Sequence, residues 1–201
     1  MMKQALKEQL AEAARVFWSK GLSTGFDAGD VSLRDPETNY VYICPRPGKI
    51  LKSIPNWGIM EAKYTVVLDL DGNLLEDNGV YPTVEAPMHL AIYKHRSDIN
   101  AIVHSHAVNT CAFAVVGKDI PMMLDESHHL GKAILCAPYG KVGSQELADN
   151  IVNALGKENK VALLRRHGAA VCGSSIEEAF IISDFTEKLA NVVLLSKILN
   201  D

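Results

Sequence analysis

Residues 101–109 read AIVHSHAVN and place two histidines, His104 and His106, at the end of a short apolar run. A buried strand has little use for two imidazoles, because each ring nitrogen that leaves water needs a partner. Alternate residues of a strand point to the same face, about 6.6–6.8 Å apart along the chain. The two rings can therefore converge on one metal ion, with each Zn–N distance at about 2.0–2.1 Å. The alternative is a pair of surface or hydrogen-bonded histidines.

A third histidine strengthens the metal interpretation. His167 follows the run VALLRR at 161–166, and the next residue, Gly168, allows a sharp turn or a close approach to a ligand. Three histidines from two strand ends leave the fourth position of a tetrahedral ion open, which is the pattern of a catalytic zinc site. A histidine that bonds to the backbone of a turn is the alternative for His167.

Glu85 is the candidate general base. It lies at the start of the predicted helix that leads into the strand with His104 and His106. A carboxylate at this place could instead be a solvated acid that interacts with the helix dipole.

The remaining pattern alternates helices and strands. Apolar runs predict strands at 40–44, 64–70, 100–105, 133–138 and 161–166, and residues 169–172 are expected to continue the sheet. Helical spacing predicts helices at 2–20, 84–95, 108–117, 144–155 and 176–199, with Thr83 and Ser144 as N-caps and a capping box from Ser175 to Glu178. We expect an α/β fold in which residues 1–201 form a single layered domain. Its central sheet is mostly antiparallel or mixed and is covered by helices.

Composition excludes several classes of function. The net charge of -4 gives no electrostatic footprint for nucleic acid. No apolar run approaches the ~20 residues that cross a membrane, and the charged N-terminal stretch lacks the apolar core of a signal peptide. Four widely spaced cysteines (Cys44, Cys111, Cys136 and Cys172) predict reduced thiols in a cytoplasmic protein.

Three motifs together resemble a known family. They are Glu85 within the stretch VEAPMHLAIYKH at 84–95, the HSHA stretch at 104–107 and the RHG stretch at 166–168. In this combination, over roughly residues 5–198, the chain is similar to the class II aldolase/adducin family. The resemblance implies that His104, His106 and His167 bind one Zn²⁺ per subunit and that Glu85 is the catalytic acid/base. It also implies a homotetramer with fourfold symmetry whose active sites lie between subunits.

The loops that hold phosphate in fuculose-phosphate-cleaving members of the family are altered here. The matching positions are Gly29-Asp30, Arg46-Pro47 and Thr83-Val84. Gly29 and Thr83 keep usable donors, whereas Asp30 brings a negative charge and Val84 lacks a hydroxyl. Arg46 could hold an anion with two hydrogen bonds, including a carboxylate in place of a phosphate, or it could pair with Asp30.

The proton donor also departs from the family pattern. Aldolases of the family use a tyrosine after an Ile-Pro pair and donate it to a neighbouring subunit's site. Here the segment after Ile120-Pro121 reads MMLDESHHLG, which offers Asp125 near that place and His129 slightly further on. His129 could donate a proton at neutral pH, and a surface or interface pair with His128 is the alternative.

Three functions follow in order of preference. The first is zinc-dependent retro-aldol cleavage of a short ketose phosphate that resembles L-fuculose 1-phosphate, giving an aldehyde and a ketone of the dihydroxyacetone-phosphate type. The second keeps the metal but yields sugar-phosphate 4-epimerisation or decarboxylation of a keto-acid, which Arg46 would favour. The third is an adducin-like scaffold without catalysis, and the intact histidine set with Glu85 argues against it.

Overall fold

A mixed β-sheet is the centre of the molecule. The computed structural model describes residues 2–23, 28–46 and 57–200. Within these residues seven strands form one sheet in the order β3-β2-β1-β4-β7-β6-β5, antiparallel throughout except for the parallel pair β5–β6. The strands are β1 Asp30–Arg34, β2 Val41–Ile43, β3 Val66–Leu68, β4 Ala101–Ser105, β5 Leu135–Ala137, β6 Val161–Leu164 and β7 Gly168–Gly173.

Helices cover both faces of this sheet. They are α1 Gln4–Ser19, α2 Ala86–His95, α3 Val108–Val116, α4 Gln145–Leu155 and α5 Ile176–Asn200. Helices α1, α3 and α5 pack against one face of the sheet and form one apolar core with it. Helices α2 and α4 pack against the opposite face and form a second core. The predicted α/β fold with a mixed, helix-covered sheet is confirmed. Among the described helices, none is long and apolar enough to cross a bilayer.

Helix starts follow the predicted caps in part. Ser144 caps α4, because its side chain accepts a hydrogen bond from the Leu147 N–H at 3.2 Å. The prediction for Thr83 is wrong, since α2 begins at Ala86 and its N-cap residue is Glu85. The Thr83 hydroxyl donates to Asp30 at 2.5 Å and accepts a hydrogen bond from the Glu85 N–H at 3.2 Å. Thr83 therefore stabilises the turn before α2 and links it to β1, rather than capping the helix itself.

Strand β1 was not predicted, although its sequence DVSLR alternates polar and apolar residues as a strand does. All five residues are buried, and the polar ones lie on the face that α2 covers. Ser32 bonds to His89 and Tyr93 of α2, and Arg34 donates to the carbonyls of Tyr93 and Ser97. A buried strand tolerates such residues only when each polar group finds a partner.

The start of β7 at Gly168 lies directly against the end of β4, where the histidines meet. A Cβ atom on Gly168 would lie 2.4 Å from the carbonyl oxygen of Ser105 and 3.1 Å from the His106 ring. No real Cβ tolerates the first of these contacts, and a ladder carbonyl cannot move without disrupting the pairing of β4 with β7. Gly168 is therefore required by the distance between the two strands.

We expect Gly168→Ala to lower the free energy of unfolding by about 3 kcal/mol, the upper end of the range for overpacking a core. Gly21→Ala is the matched control. Gly21 follows the C-cap of α1, and its φ of +68° adds backbone strain of about 1 kcal/mol, but a new Cβ meets nothing within 4 Å. Urea denaturation of both variants measures the difference. Equal losses would contradict the close contact at Gly168.

Candidate active site and metal centre

Three histidines converge at one edge of the sheet. His104 is in β4, His106 is one residue beyond it, and His167 lies in the turn between β6 and β7. The Nε2 atom of His104 lies 3.1 Å from that of His106 and 3.3 Å from that of His167. The rings stand edge to face, with centroids 4.8–4.9 Å apart. The sequence therefore predicted correctly which histidines would meet.

The chemistry of this cluster fits a divalent metal ion. Two ligand atoms of a tetrahedral zinc lie about 3.3 Å apart, since each Zn–N distance is about 2.0–2.1 Å. The Nδ1–H group of His104 donates to the carbonyl of Ala169 at 3.1 Å, which leaves the Nε2 lone pair to face the other two rings. Such a backbone partner sets the tautomer of a histidine that binds metal.

Electrostatics keeps the three rings neutral. Burial and the facing His167 lower the pKa of His104 to about 3, and burial and the neighbouring His104 do the same for His106. The pKa of His167 falls to about 4, through burial and the nearby ring of His106. Neutral imidazole is the form that binds metal, so these residues can bind an ion without first losing protons at neutral pH.

A cavity of about 320 Å³ opens onto the three histidines. Its walls include every other predicted site residue except Asp125 and His129: Gly29, Asp30, Arg46, Thr83 and Glu85. Trp57 and Val142 complete part of the lining, and the Trp57 indole N–H donates to the carbonyl of Gly29 at 3.1 Å. A neighbouring cavity of about 500 Å³ shares Arg46, Thr83 and Val84 with it. Space for a small organic substrate thus adjoins the candidate metal centre.

Glu85 has the environment of a base rather than of a solvated acid. It is only 3% exposed, and neither oxygen of its carboxylate makes a hydrogen bond of normal geometry with the described residues. Burial and the nearby negative charge of Asp30 raise the pKa of Glu85 to about 7, and the backbone of Gly143 opposes the shift weakly. A carboxyl group poised near neutral pH can both take and return a proton.

The raised pKa of Glu85 predicts a pH-dependent stability of the metal-free protein. A carboxyl group that ionises at about 4.5 when unfolded and at about 7 when folded destabilises the fold as the pH rises between these values. Glu85→Gln removes this loss. Its free energy of unfolding relative to wild type should therefore increase by about 2–3 kcal/mol from pH 5 to pH 8. Denaturant titrations of both proteins at the two pH values measure the change, and a constant difference would refute the shift.

Beneath the cavity lies a buried polar network centred on Asp30. One carboxylate oxygen lies 2.9 Å from Nε2 of His89, and the other accepts the hydrogen bond from Thr83. Nδ1 of His89 is 2.7 Å from the hydroxyl oxygen of Ser32, which is 2.8 Å from that of Tyr93. Burial by itself would raise the pKa of Asp30, but His89 and Thr83 hold it at about 2. Asp30 is therefore a buried carboxylate with a hydrogen bond to Thr83 on one oxygen and the His89 ring in close contact with the other.

The contact between Asp30 and His89 can be tested by removing one partner. We expect His89→Phe to lower the free energy of unfolding by about 3–5 kcal/mol, because it leaves the buried carboxylate uncompensated. The double variant Asp30→Asn/His89→Phe should recover much of this loss, since no buried charge is left. Chemical denaturation at pH 7 measures both variants. A double variant that is no more stable than His89→Phe would show that His89 does not compensate the Asp30 carboxylate.

The structure separates some of the predicted site residues from the others. The alternative pairing of Arg46 with Asp30 does not occur, because Thr83 and His89 occupy both oxygens of Asp30. Pro47 lies outside the described residues. Asp125 and His129 belong to an exposed 3₁₀ helix, Asp125–Leu130, and His129 lines a different groove beside α5. Within one chain, neither residue lines the histidine cavity.

Sequence reasoning missed two residues of this region, His89 and Trp57. His89 lies four residues after Glu85, so helical spacing places both near the same face of α2, and this signal was available. The sequence before Trp57 is rich in proline and glycine, and nothing in that pattern indicates a bond to Gly29. The resulting molecule is an α/β protein with a candidate three-histidine metal centre in a substrate-sized cavity.

Comparisons with known proteins agree with an α/β protein that has a candidate metal centre. Residues 8–194 match the family model described as the class II aldolase and adducin N-terminal domain. The L-fuculose phosphate aldolase of Methanococcus maripaludis (strain C7) is 33% identical over 164 residues, which cover 82% of this chain and 83% of the relative. The enzyme of the same name from Escherichia coli (strain K12) is 31% identical over 206 residues, covering 100% and 88%. The chain belongs to the class II aldolase/adducin family.

Solved structures show the same fold. An L-fuculose 1-phosphate aldolase superposes with a TM-score of 0.90 at 26% identity, covering 100% of this chain and 90% of that one. YgbL from Escherichia coli, named as a candidate aldolase/epimerase/decarboxylase, gives a TM-score of 0.81 at 25% identity, with coverage of 96% and 89%. The class II aldolase relatives support assignment of this chain to the lyases.

Proposed function

We propose that this protein is a zinc-dependent class II aldolase that reversibly cleaves a short ketose phosphate resembling L-fuculose 1-phosphate. The observation that carries the proposal is the convergence of His104, His106 and His167 beside the buried, unpartnered carboxylate of Glu85 in one cavity. Relatives named L-fuculose phosphate aldolase, 31–33% identical, support this substrate class.

The three histidines would hold the metal through their Nε2 atoms and leave one side open to the cavity. When bound, a divalent ion supplies a Lewis acid that polarises the substrate's carbonyl and stabilises the negative charge that develops when the C–C bond breaks. The low pKa values of the three histidines keep their Nε2 lone pairs available for metal binding at neutral pH. The cavity walls orient the substrate and exclude water from the reacting atoms.

Glu85 moves the proton. In the cleavage direction its carboxylate takes the proton from the hydroxyl group whose carbon becomes the aldehyde. In the condensation direction it takes a proton from the carbon beside the ketone. A pKa of about 7 balances these roles at neutral pH, because the group is ionised often enough to accept a proton and acidic enough to return it.

The anionic end of the substrate, away from the metal, would be bound by Gly29, Arg46 and the segment around Thr83. Because the Thr83 hydroxyl donates to Asp30, it is not free to bind an anion while that bond persists. Asp30 also places a fixed negative charge in the cavity wall, which is less favourable for a dianionic phosphate than for a carboxylate. These two observations favour decarboxylation of a keto-acid as the second candidate function. The candidate description of YgbL as an aldolase, epimerase or decarboxylase also leaves room for it.

We further propose that a neighbouring subunit supplies the second proton donor. Asp125 and His129 are exposed and line no part of the histidine cavity of their own chain, so either could reach the cavity of another chain in a homotetramer. In the same proposal residues 1–201 form one domain, supported by the single sheet that joins residues 30–173. A cytoplasmic location remains a prediction.

A substrate panel tests the reaction. L-Fuculose 1-phosphate, other ketose 1-phosphates, ketose 5-phosphates and keto-acids are each incubated with the zinc-loaded protein and assayed for aldehyde, epimer and CO₂. We expect about one zinc per chain and aldehyde release from a ketose 1-phosphate, lost on chelation and restored by zinc. Release of CO₂ or an epimer would establish the second candidate function. A protein that binds no metal and turns over no substrate would be a scaffold.

The role of Glu85 is tested separately. Glu85→Gln should lower kcat by about 10²–10⁴-fold, the usual contribution of a general base, while the zinc content stays at the wild-type level. Glu146→Gln, which changes an exposed acid in the first turn of α4, is the matched control and should retain full activity. An unaffected rate for Glu85→Gln would exclude it as the base.

A further inference from the structure

Helix α3 contacts the chain segments that carry two of the three histidines, His106 and His167. Its first residue, Val108, comes two positions after His106, so the start of the helix determines where the strand can end. The same helix contacts the turn with the third histidine, because the Ala114 carbonyl accepts from the Arg166 N–H at 2.9 Å. The Cys111 thiol donates to the carbonyl of His167 at 3.4 Å. A displacement of α3 would therefore move His106 and His167 together.

The N-terminus of α3 lacks a cap of its own. Its N-cap residue is Ala107, which has no side-chain acceptor for the free N–H groups of the first turn. Glu187 of α5 replaces this cap from 78 residues away in the sequence. Its carboxylate accepts four hydrogen bonds, from the backbone N–H and side-chain amide of Asn109 and from the backbone N–H and hydroxyl of Thr110, all at 2.7–2.8 Å.

This arrangement is stronger than an ordinary cap. Hydrogen bonds to a carboxylate are shorter and stronger than those between neutral groups, and a negative charge at a helix N-terminus also interacts favourably with the dipole. Glu187 is partly buried, which reduces screening by solvent. The carboxylate thus ties α5 to the segment that immediately follows the HSHA stretch.

We propose that Glu187 is a positioning residue of the metal centre: through α3 it holds His106 and His167 at the separation that one ion requires. This inference rests on the proposed metal-dependent function. Glu187 is in neither histidine-bearing strand, and its hydrogen bonds go to Asn109 and Thr110 rather than to an imidazole. Removal of the Glu187 carboxylate leaves two N–H groups of the first turn of α3 without a partner. That turn then becomes less ordered next to His106, and the three Nε2 atoms no longer lie at the separations that one ion requires.

The test compares metal affinity in three proteins at a temperature well below unfolding. Zinc dissociation constants of wild type, Glu187→Gln and Glu187→Ala are measured by competition with a chromophoric chelator. We expect Glu187→Ala to bind zinc about 10-fold more weakly, as for other residues that orient metal ligands. Glu187→Gln keeps one acceptor oxygen and should be intermediate. The visible absorption of bound Co²⁺, which reports coordination geometry, should change in the same order.

Glu178→Ala is the matched control. Glu178 also lies in α5, nine residues or about 13 Å along the helix from Glu187, and accepts hydrogen bonds from the N–H and hydroxyl of Ser174 at 2.6–2.7 Å. Its removal should destabilise the protein without changing zinc affinity or the Co²⁺ spectrum. Equal effects of Glu178→Ala and Glu187→Ala, or wild-type zinc affinity in both Glu187 variants, would overturn the positioning role.

The two proposals fail in different ways. A wild-type protein that binds no zinc would overturn both the metal-dependent function and the role of Glu187. A wild-type protein that binds zinc, together with Glu187 variants that bind it equally well, would overturn only the role of Glu187. If Glu187→Ala does not fold, the affinity and spectrum of Glu187→Gln decide the question.

Discussion

The position of β4 between β1 and β7 is the constraint on which the rest of the structure depends. On one side His104 pairs with Asp30 across the β1–β4 ladder, and on the other it pairs with Ala170 across the β4–β7 ladder. The first pairing places the buried carboxylate beside the histidine cluster. The second, which a side chain at Gly168 would prevent, brings the turn with His167 to within bonding distance of a shared ion. Backbone pairing thus arranges the charges of the site.

Burial then determines how these groups behave. The histidines are close together and largely removed from water, so they remain neutral and favour a cation. Glu85, close to Asp30 and without a partner of its own, resists ionisation until neutral pH. Asp30 remains charged because His89 and Thr83 compensate it. Two carboxyl groups in one cavity wall therefore have different protonation behaviour, and the difference comes from their partners rather than from their chemistry.

The support of the site is distributed over helices on both faces of the sheet. On one face α2 carries Glu85 and His89, so that the candidate base and the partner of Asp30 move as a unit. On the other face α3 follows the HSHA stretch and contacts the turn at His167, and α5 caps α3 through Glu187. Each histidine-bearing segment is thereby held by side chains that are distant in sequence, as a preorganised metal site requires.

Local patterns in the sequence determined the alternation of helices and strands, the cap at Ser144, the mixed α/β class, and the set of histidines that would meet. They could do so because periodicity and the HSHA and RHG spacings are properties of neighbouring residues. Tertiary structure decided the rest. It gave the polar side chains of β1 buried partners in and after α2, bonded the Thr83 hydroxyl to Asp30, and capped α3 with Glu187. Each of these contacts joins residues more than 50 positions apart, which no local pattern contains. Tertiary structure also placed Asp125 and His129 outside the cavity of their own chain.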